Sequence, residues 1–170
     1  MAAFLKDWGL PGALVGGAAI VARVRPRITE DLDLMLVVPE NRRSELLAMA
    51  VRHGYSYDEK EATLLMEGGL VQLWGPPNKV DGIGLDILFV DSPFAQKVVE
   101  RATEITAFGQ RLSVASVEDL LLLKLEANRP EDIDDLLAIK DAFANSLDRK
   151  YLDEQALELG VADRLKVYFD

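Results

Sequence analysis

The sequence predicts an α+β fold, a mixed sheet flanked by helices and followed by a helical C-terminal part. Three observations carry this. Residues 30–38 and 83–90 alternate with a period of two, the pattern of strands. Stretches such as 41–54 and 93–102 place apolar residues at helical spacing between recognisable start and stop signals. From residue 116 the strand pattern does not recur and helical segments follow one another to the end. The organisation expected is a core over residues 1–115 and a helical extension over 116–170 packed on it as a single unit.

Each element has its own signal. Residues 2–8 read as a short helix stopped by Gly9-Leu10-Pro11-Gly12, and residues 13–15 as a short strand. Gly16-Gly17 opens a helix of small and apolar residues that Pro26 stops. In the strand over 30–38, Leu32, Leu34 and Leu36 share one face and Asp31, Asp33 and Met35 the other. Pro39 ends it, and an amphipathic helix over 41–54 closes at Gly54. Residues 63–66 and 70–74 flank Glu67-Gly68-Gly69 as a hairpin, with a helical turn the alternative for the first of them, and 75–82 reads as a loop. The next strand, 83–90, turns Ile83, Leu85, Ile87 and Phe89 one way and Asp86 the other. Ser92-Pro93 starts a helix to about Ala102, and a hairpin follows around Gly109-Gln110. Ser116-Val117-Glu118-Asp119 is a capping box ahead of an apolar helix. Proline and acids then open a helix near residue 130, and two short helices make the tail.

At 170 residues, half of them hydrophobic, the chain buries a real core without staples. It has no cysteine, which excludes disulfides and thiolate metal sites and suits a reducing cytoplasm. The first residues lack a basic region followed by a continuous apolar stretch, so no signal peptide is expected. No run approaches the roughly 18–20 apolar residues of a membrane span. A net charge of −10 argues against a broad nucleic-acid footprint, though not against a local basic pocket for phosphate.

Asp31 and Asp33 interrupt an apolar strand, and Asp86 interrupts another. Alternate strand residues point the same way with Cα atoms roughly 6.5–7 Å apart. Two such carboxylates and a third from a neighbouring strand make an oxygen donor set for hard divalent ions, as two-metal phosphoryl chemistry requires. A calcium loop fails on pattern, because leucines interleave and no glycine turn follows. For any one of these acids a solvated strand end, or pairing with Arg23, Arg25 or Arg27, is the simpler reading. Three acids together with a glycine pair reverse that preference. Gly16-Gly17, between a strand and a helix start, presents free N–H groups and a positive dipole end, a seat for phosphate. Neither a Walker A motif nor a dinucleotide fingerprint accompanies it.

The order strand, Gly-Gly, helix, Asp-x-Asp strand, Asp strand resembles the nucleotidyltransferase superfamily related to DNA polymerase β. The similarity extends to small prokaryotic members that look like the toxin component of type IV toxin–antitoxin systems. These carry an Arg-x-Thr/Ser-x-Asp-hydrophobic-Asp segment, here Arg27-Ile28-Thr29-Glu30-Asp31-Leu32-Asp33, and later a Leu-Lys, an arginine and an Asp-x-x-Asp pair, here Leu123-Lys124, Arg129, Asp132 and Asp135. The resemblance covers roughly residues 12–140.

It implies that Gly16 and Gly17 hold the β,γ-phosphates of a nucleoside triphosphate and that Asp31 and Asp33 bind a pair of Mg²⁺ (or Mn²⁺) ions. Asp86 would share the catalytic ion and help deprotonate an acceptor hydroxyl, which attacks the α-phosphorus as pyrophosphate leaves. The acceptor is a tRNA end, a protein side chain or a small molecule, and a cognate antitoxin is a possible partner. The chain has Ala18 where a Gly-Ser form of the first motif would add a hydroxyl, so phosphate contact there falls to the backbone.

Other residues carry two readings each. Lys124 on an apolar stripe either snorkels or contacts phosphate. Arg27 either is solvated or orients Asp31 or Asp33. Arg129, Asp132 and Asp135 either serve the site or stabilise a helix dipole. His53, the single histidine, lies beside Gly54, where a C-cap role is favoured, and no Gly-x-Ser-x-Gly nucleophile accompanies it. Besides a magnesium-dependent transferase, a non-catalytic nucleotide-binding or interaction module of the same fold, and a plain structural domain, remain open.

Overall fold

In a computed structural model, which describes residues 1–75 and 83–169, six strands form one mixed sheet. The strands are β1 (Gly12–Val15), β2 (Asp31–Leu36), β3 (Leu70–Trp74), β4 (Gly84–Phe89), β5 (Thr103–Ala107) and β6 (Gln110–Val114). Their spatial order is β3-β4-β2-β1-β6-β5. β2 runs parallel to β4 and β1 parallel to β6, while the other pairs are antiparallel. The helices are α1 (Ala2–Trp8), α2 (Gly16–Arg23), α3 (Arg43–Arg52), α4 (Glu59–Glu67) and α5 (Pro93–Arg101), then α6 (Val117–Ala127), α7 (Ile133–Phe143), α8 (Arg149–Glu158) and α9 (Ala162–Phe169). This is the α+β architecture the sequence predicts.

The leucine face of β2 is core. Leu34, Leu36, Val71, Leu73 and Ile87 are fully buried, and burying a side chain of this size contributes about 1.5–3 kcal/mol. α2 lies against β1 and β2, and its fully buried Ala18, Ala19 and Ile20 allow that close approach. α1 packs against α3, with the Trp8 indole donating to the Val37 carbonyl at 3.1 Å. His53 is the C-cap residue of α3, and its Nε2 meets Asp7 Oδ2 at 2.9 Å, a structural place rather than a catalytic one.

Two expectations about local structure are corrected. Residues 63–66 are helical, within α4, and not the first arm of a hairpin. Asp58 Oδ1 accepts from the amides of Lys60 and Glu61, both at 2.9 Å, which caps a helix start and commits the following residues to it. The second hairpin turns at Phe108-Gly109, one residue earlier than Gly109-Gln110. Both turn residues have positive φ (52° and 71°), the geometry whose twist suits a two-residue connection. The loop expected over 75–82 falls, beyond Gly75, outside the described residues.

The helical end of the chain is tied down by polar contacts. Ser116 Oγ caps α6 by accepting from the Asp119 amide at 3.1 Å. The fully buried Asp119 carboxylate accepts from Tyr151 Oη at 2.6 Å, Ser116 Oγ at 2.7 Å and Arg101 Nε at 3.3 Å, which joins α5, α6 and α8.

Candidate functional site

Register decides what the three strand aspartates can do together. Asp33 of β2 is directly beside Asp86 of β4, and Asp31 is beside Gly84. With neighbouring strands about 4.8 Å apart, Asp31, Asp33 and Asp86 share one face at one end of the sheet. Asp31 is exposed, while Asp33 and Asp86 are half-buried. Burial, then the charges of Asp86 and Asp31, push the Asp33 carboxyl above its ordinary range, against the pull of the Gly17 N–H and of Arg129. Asp86 is likewise raised by burial and by Asp31, with a hydrogen bond from Gln72 opposing. Mutual repulsion of this kind is what a cation relieves.

Glycines make room for these acids. A Cβ on Gly16 would collide with Asp33 Oδ2, and one on Gly84 would collide with Asp31 Oδ1. Gly16 also adopts φ of +60°, at the turn from β1 into α2. The N-cap residue of α2 is Val15, which brings no capping side chain, and the Gly17 amide turns to Asp33. The carboxylates are fanned: Asp33 leans on the glycine turn, Asp31 over Gly84, and Asp86 Oδ1 accepts from Gln72 Nε2 at 3.0 Å. Among the described residues no three His, Cys, Asp or Glu groups are already drawn together as an ion-binding cluster. The donor set is all oxygen and so fits Mg²⁺ or Mn²⁺ in chemistry, with the side chains left to swing in.

These acids form one wall of a polar cleft of about 530 Å³. Gly17, Arg27, Thr29, Lys124, Arg129 and Asp132 also line it. Behind the basic wall lies a buried ion-pair network. Lys124 Nζ donates to Asp132 Oδ1 at 2.6 Å and lies 2.8 Å from Asp135 Oδ2. Asp135, fully buried, also accepts from Arg25 Nη2 at 3.0 Å and from Arg27 Nη1 in a very short contact. Arg129 Nε donates to Asp132 Oδ2 at 2.9 Å, and that bond, with the charges of Asp132, Glu131 and Asp33, raises the guanidinium further.

Several readings change on this geometry. Lys124 does not snorkel to water; it is 6% exposed and doubly paired. Asp132 and Asp135 are not solvated helix-dipole acids, because both are buried acceptors for cations from other elements. Arg25 and Arg27 pair with Asp135 instead of with the strand aspartates, and Arg23 donates to Thr103 and to the Val114 carbonyl. Thr29 Oγ1 donates to the Asp31 carbonyl at 3.1 Å and packs over Gly17, where a Cβ would approach it to 2.7 Å. The sequence does not single out Gln72 or Gly84, and it offers Arg25 only as one of three arginines that could pair with the strand acids, not as a partner of Asp135. A polar residue at the alternating position of β3 was the available signal for Gln72; the other two needed the strand register and the ion pairs.

Against known proteins, the family model described as "Nucleotidyl transferase AbiEii toxin, Type IV TA system" matches residues 2–158. No curated protein matches in sequence. Among solved structures, the chain is similar to an antigenic nucleotidyltransferase-like protein from Paracoccidioides brasiliensis (19% identity, 95% of this chain and 87% of that one, TM-score 0.56). It is also similar to ANT(2″)-Ia in complex with adenylyl-2″-tobramycin (17%, 94% and 92%, TM-score 0.55). A third likeness is to the lincosamide antibiotic adenylyltransferase LnuA, lincomycin-bound (13%, 84% and 93%, TM-score 0.55). At such identities these likenesses speak for the fold. No helix among the described residues is long and apolar enough to cross a membrane.

Proposed function

Because the chain belongs to the nucleotidyl transferase AbiEii toxin family of type IV toxin–antitoxin systems, and is thereby a nucleotidyltransferase, we propose that the cleft beside Asp31, Asp33 and Asp86 moves a nucleoside monophosphate from a nucleoside triphosphate to an acceptor hydroxyl. The observation that carries this reading is the register that puts Asp33 beside Asp86, on the face of Asp31, across one cleft from a basic wall.

In this reading the triphosphate lies along the basic wall. The first-turn amides of α2, Arg27, Arg129 and the remaining N–H of Lys124 neutralise its oxygens, and an anion is favoured at that helix start. Asp31, Asp33 and Asp86 would hold Mg²⁺ or Mn²⁺, which when bound supplies Lewis-acid activation of the acceptor hydroxyl and charge neutralisation at the leaving oxygen. Gln72 occupies Asp86 Oδ1, leaving Oδ2 to take the acceptor proton. The acceptor oxygen forms its bond to the α-phosphorus, the bond from that phosphorus to the β-phosphate oxygen breaks, and pyrophosphate leaves. The protein's share is positioning and charge stabilisation. A cognate antitoxin is the expected protein partner, and the reducing cytoplasm the expected compartment.

The test is transfer of label from an α-labelled nucleoside triphosphate in Mg²⁺. Asp86→Asn should cut the rate roughly 10²–10⁴-fold, the range for loss of a proton-accepting group. A second reading, nucleotide binding without turnover, draws on the fanned carboxylates. Thermal stabilisation by Mg²⁺ and nucleotide with no label transfer would establish it.

A further inference from the structure

On the basic wall of the polar cleft, Arg129 combines a fixed backbone with a side chain left largely in water. α6 closes on Asn128 in the left-handed conformation, with φ of 50°. Arg129 is then extended (φ −92°, ψ 142°), as a residue before proline prefers. Its carbonyl accepts from the Asp132 amide at 3.1 Å, which closes the turn over Pro130–Asp132. The side chain, by contrast, is 58% exposed. Its Nε–H donates to Asp132 Oδ2 at 2.9 Å, and among the described residues the terminal nitrogens make no hydrogen bond. Asp33 lines the same cleft from the opposite wall. Its carboxyl, raised by burial and then by Asp86 and Asp31, is drawn back by the Gly17 N–H and by the charge of Arg129. The other cations of the cleft are already engaged: Arg27 by Asp135, and Lys124 by Asp132 and Asp135.

We propose that Arg129 serves two partners in turn: it offsets the strand aspartates while the cleft is empty, and turns to the nucleotide's phosphates once a divalent ion has joined them. The inference rests on the nucleotidyltransferase reading and names a positioning residue that couples its two ligands. Cations near one carboxylate compete, because each repels the other while both are drawn to the same charge. A planar, delocalised guanidinium cannot match the close oxygen coordination that Mg²⁺ or Mn²⁺ takes, so Arg129 yields Asp33 to the ion. Its bond to Asp132 remains as a pivot. The terminal nitrogens then present a fork that fits phosphate oxygens. Phosphates that hold Arg129 away from Asp33 in turn favour the ion, and this mutual strengthening is reciprocal by linkage. Arg129 can be removed without emptying the network behind it, since Asp132 keeps Lys124 at 2.6 Å.

The experiment reads the two ligands separately on the full chain. Mn²⁺ alone is titrated and followed by electron paramagnetic resonance of the free ion. Arg129→Gln should bind Mn²⁺ at least about threefold more tightly than wild type, because a competing cation is gone. Arg129→Lys, which keeps the charge without the fork, should stay near wild type. Asp86→Asn should lose the tight Mn²⁺ site, which ties the signal to the strand aspartates. In saturating Mg²⁺, the thermal shift caused by a mixture of the four nucleoside triphosphates should shrink by about half or more in Arg129→Gln, as expected when a charge-assisted phosphate contact is lost. Tighter ion and weaker nucleotide are changes of opposite sign, which neither a purely structural role nor a phosphate contact alone would produce. Mn²⁺ affinity equal to or below wild type in Arg129→Gln, or an undiminished nucleotide shift, would overturn the inference. Label transfer by the wild type, measured on the same preparations, reports separately on the nucleotidyltransferase reading.

Discussion

The ammonium of Lys124 lies 2.8 Å from Asp135 Oδ2, and both side chains are buried. The pair connects α6 to α7. Because Asp135 also takes Arg25 and Arg27, it connects both helices to the segment that leads into the Asp31 strand. A single carboxylate therefore holds three cations, two of which line the polar cleft.

Asp135→Asn should destabilise the protein strongly. Removing one partner of a fully buried ion pair costs about 3–5 kcal/mol. The loss here should fall toward the lower end, because Lys124 keeps Asp132 and the side chains of Arg25 and Arg27 are partly solvated. The pH dependence has a definite sign. Burial alone would push the Asp135 carboxyl up, but the Lys124 hydrogen bond and charge, the Arg25 hydrogen bond and the Arg27 charge outweigh it and hold it below the ordinary range. Its stabilising contribution is thus full above the unfolded value of about 3.9 and is lost as pH falls through the depressed folded value. Urea melts should show a constant gap between wild type and variant near neutrality that narrows only in strong acid.

The contrast between Asp33 and Asp135 shows what a sequence discloses. Asp33 stands out because a charged residue breaks a two-residue period between leucines, and the strand geometry then dictates which neighbours share its face. Its partner Asp86 is legible the same way. Asp135 sits in the first turn of a helix, where an acid is ordinary, and only tertiary packing reveals that Lys124, Arg25 and Arg27 converge on it. Residues 63–66 failed for a related reason. A short apolar run fits either period, and the Asp58 cap that settles it lies outside the run. Gln72 needed the pairing of β3 with β4 before it had a partner.

Gly16→Ala should damage both stability and nucleotide binding. A non-glycine residue in the left-handed region costs of order 1–2 kcal/mol, and here the added methyl would also collide with the Asp33 carboxylate. Gly17→Ala should be milder, since the obstacle is the Thr29 hydroxyl end, which can rotate away. Differential scanning fluorimetry with and without Mg²⁺ and nucleotide should show the nucleotide-induced shift abolished in the first variant and reduced in the second.

Gln72→Leu should separate positioning from binding. The amide holds Asp86 Oδ1 at 3.0 Å from an adjacent strand and contributes no lining to the polar cleft. Losing it frees the carboxylate to rotate, so kcat should fall about tenfold or more while the nucleotide-induced thermal shift is preserved. Gln72→Glu, which replaces the donor by a second anion, should be worse than the leucine. A parallel loss of nucleotide binding in Gln72→Leu would mean that the side chain supports the fold rather than the carboxylate.

Tyr151→Phe tests Asp119, a buried carboxylate that does not line the polar cleft. Tyr151 Oη donates to Asp119 at 2.6 Å, and the ring lies under the Arg101 guanidinium at 3.7 Å. Burial and the nearby Asp119 carboxylate push the phenol well above its ordinary value, so it stays a donor over the whole working pH range. Deleting the hydroxyl keeps the ring, and with it the contact to Arg101, but leaves Asp119 with one fewer donor. Hydrogen bonds to charged groups are worth about 1.5–3 kcal/mol, which sets the expected loss. Because Ser116 and Arg101 still hold Asp119, the loss should fall toward the lower end of that range, and label transfer by the folded fraction should be unchanged. A variant as stable as wild type in urea would show that those two donors satisfy Asp119 without help from α8.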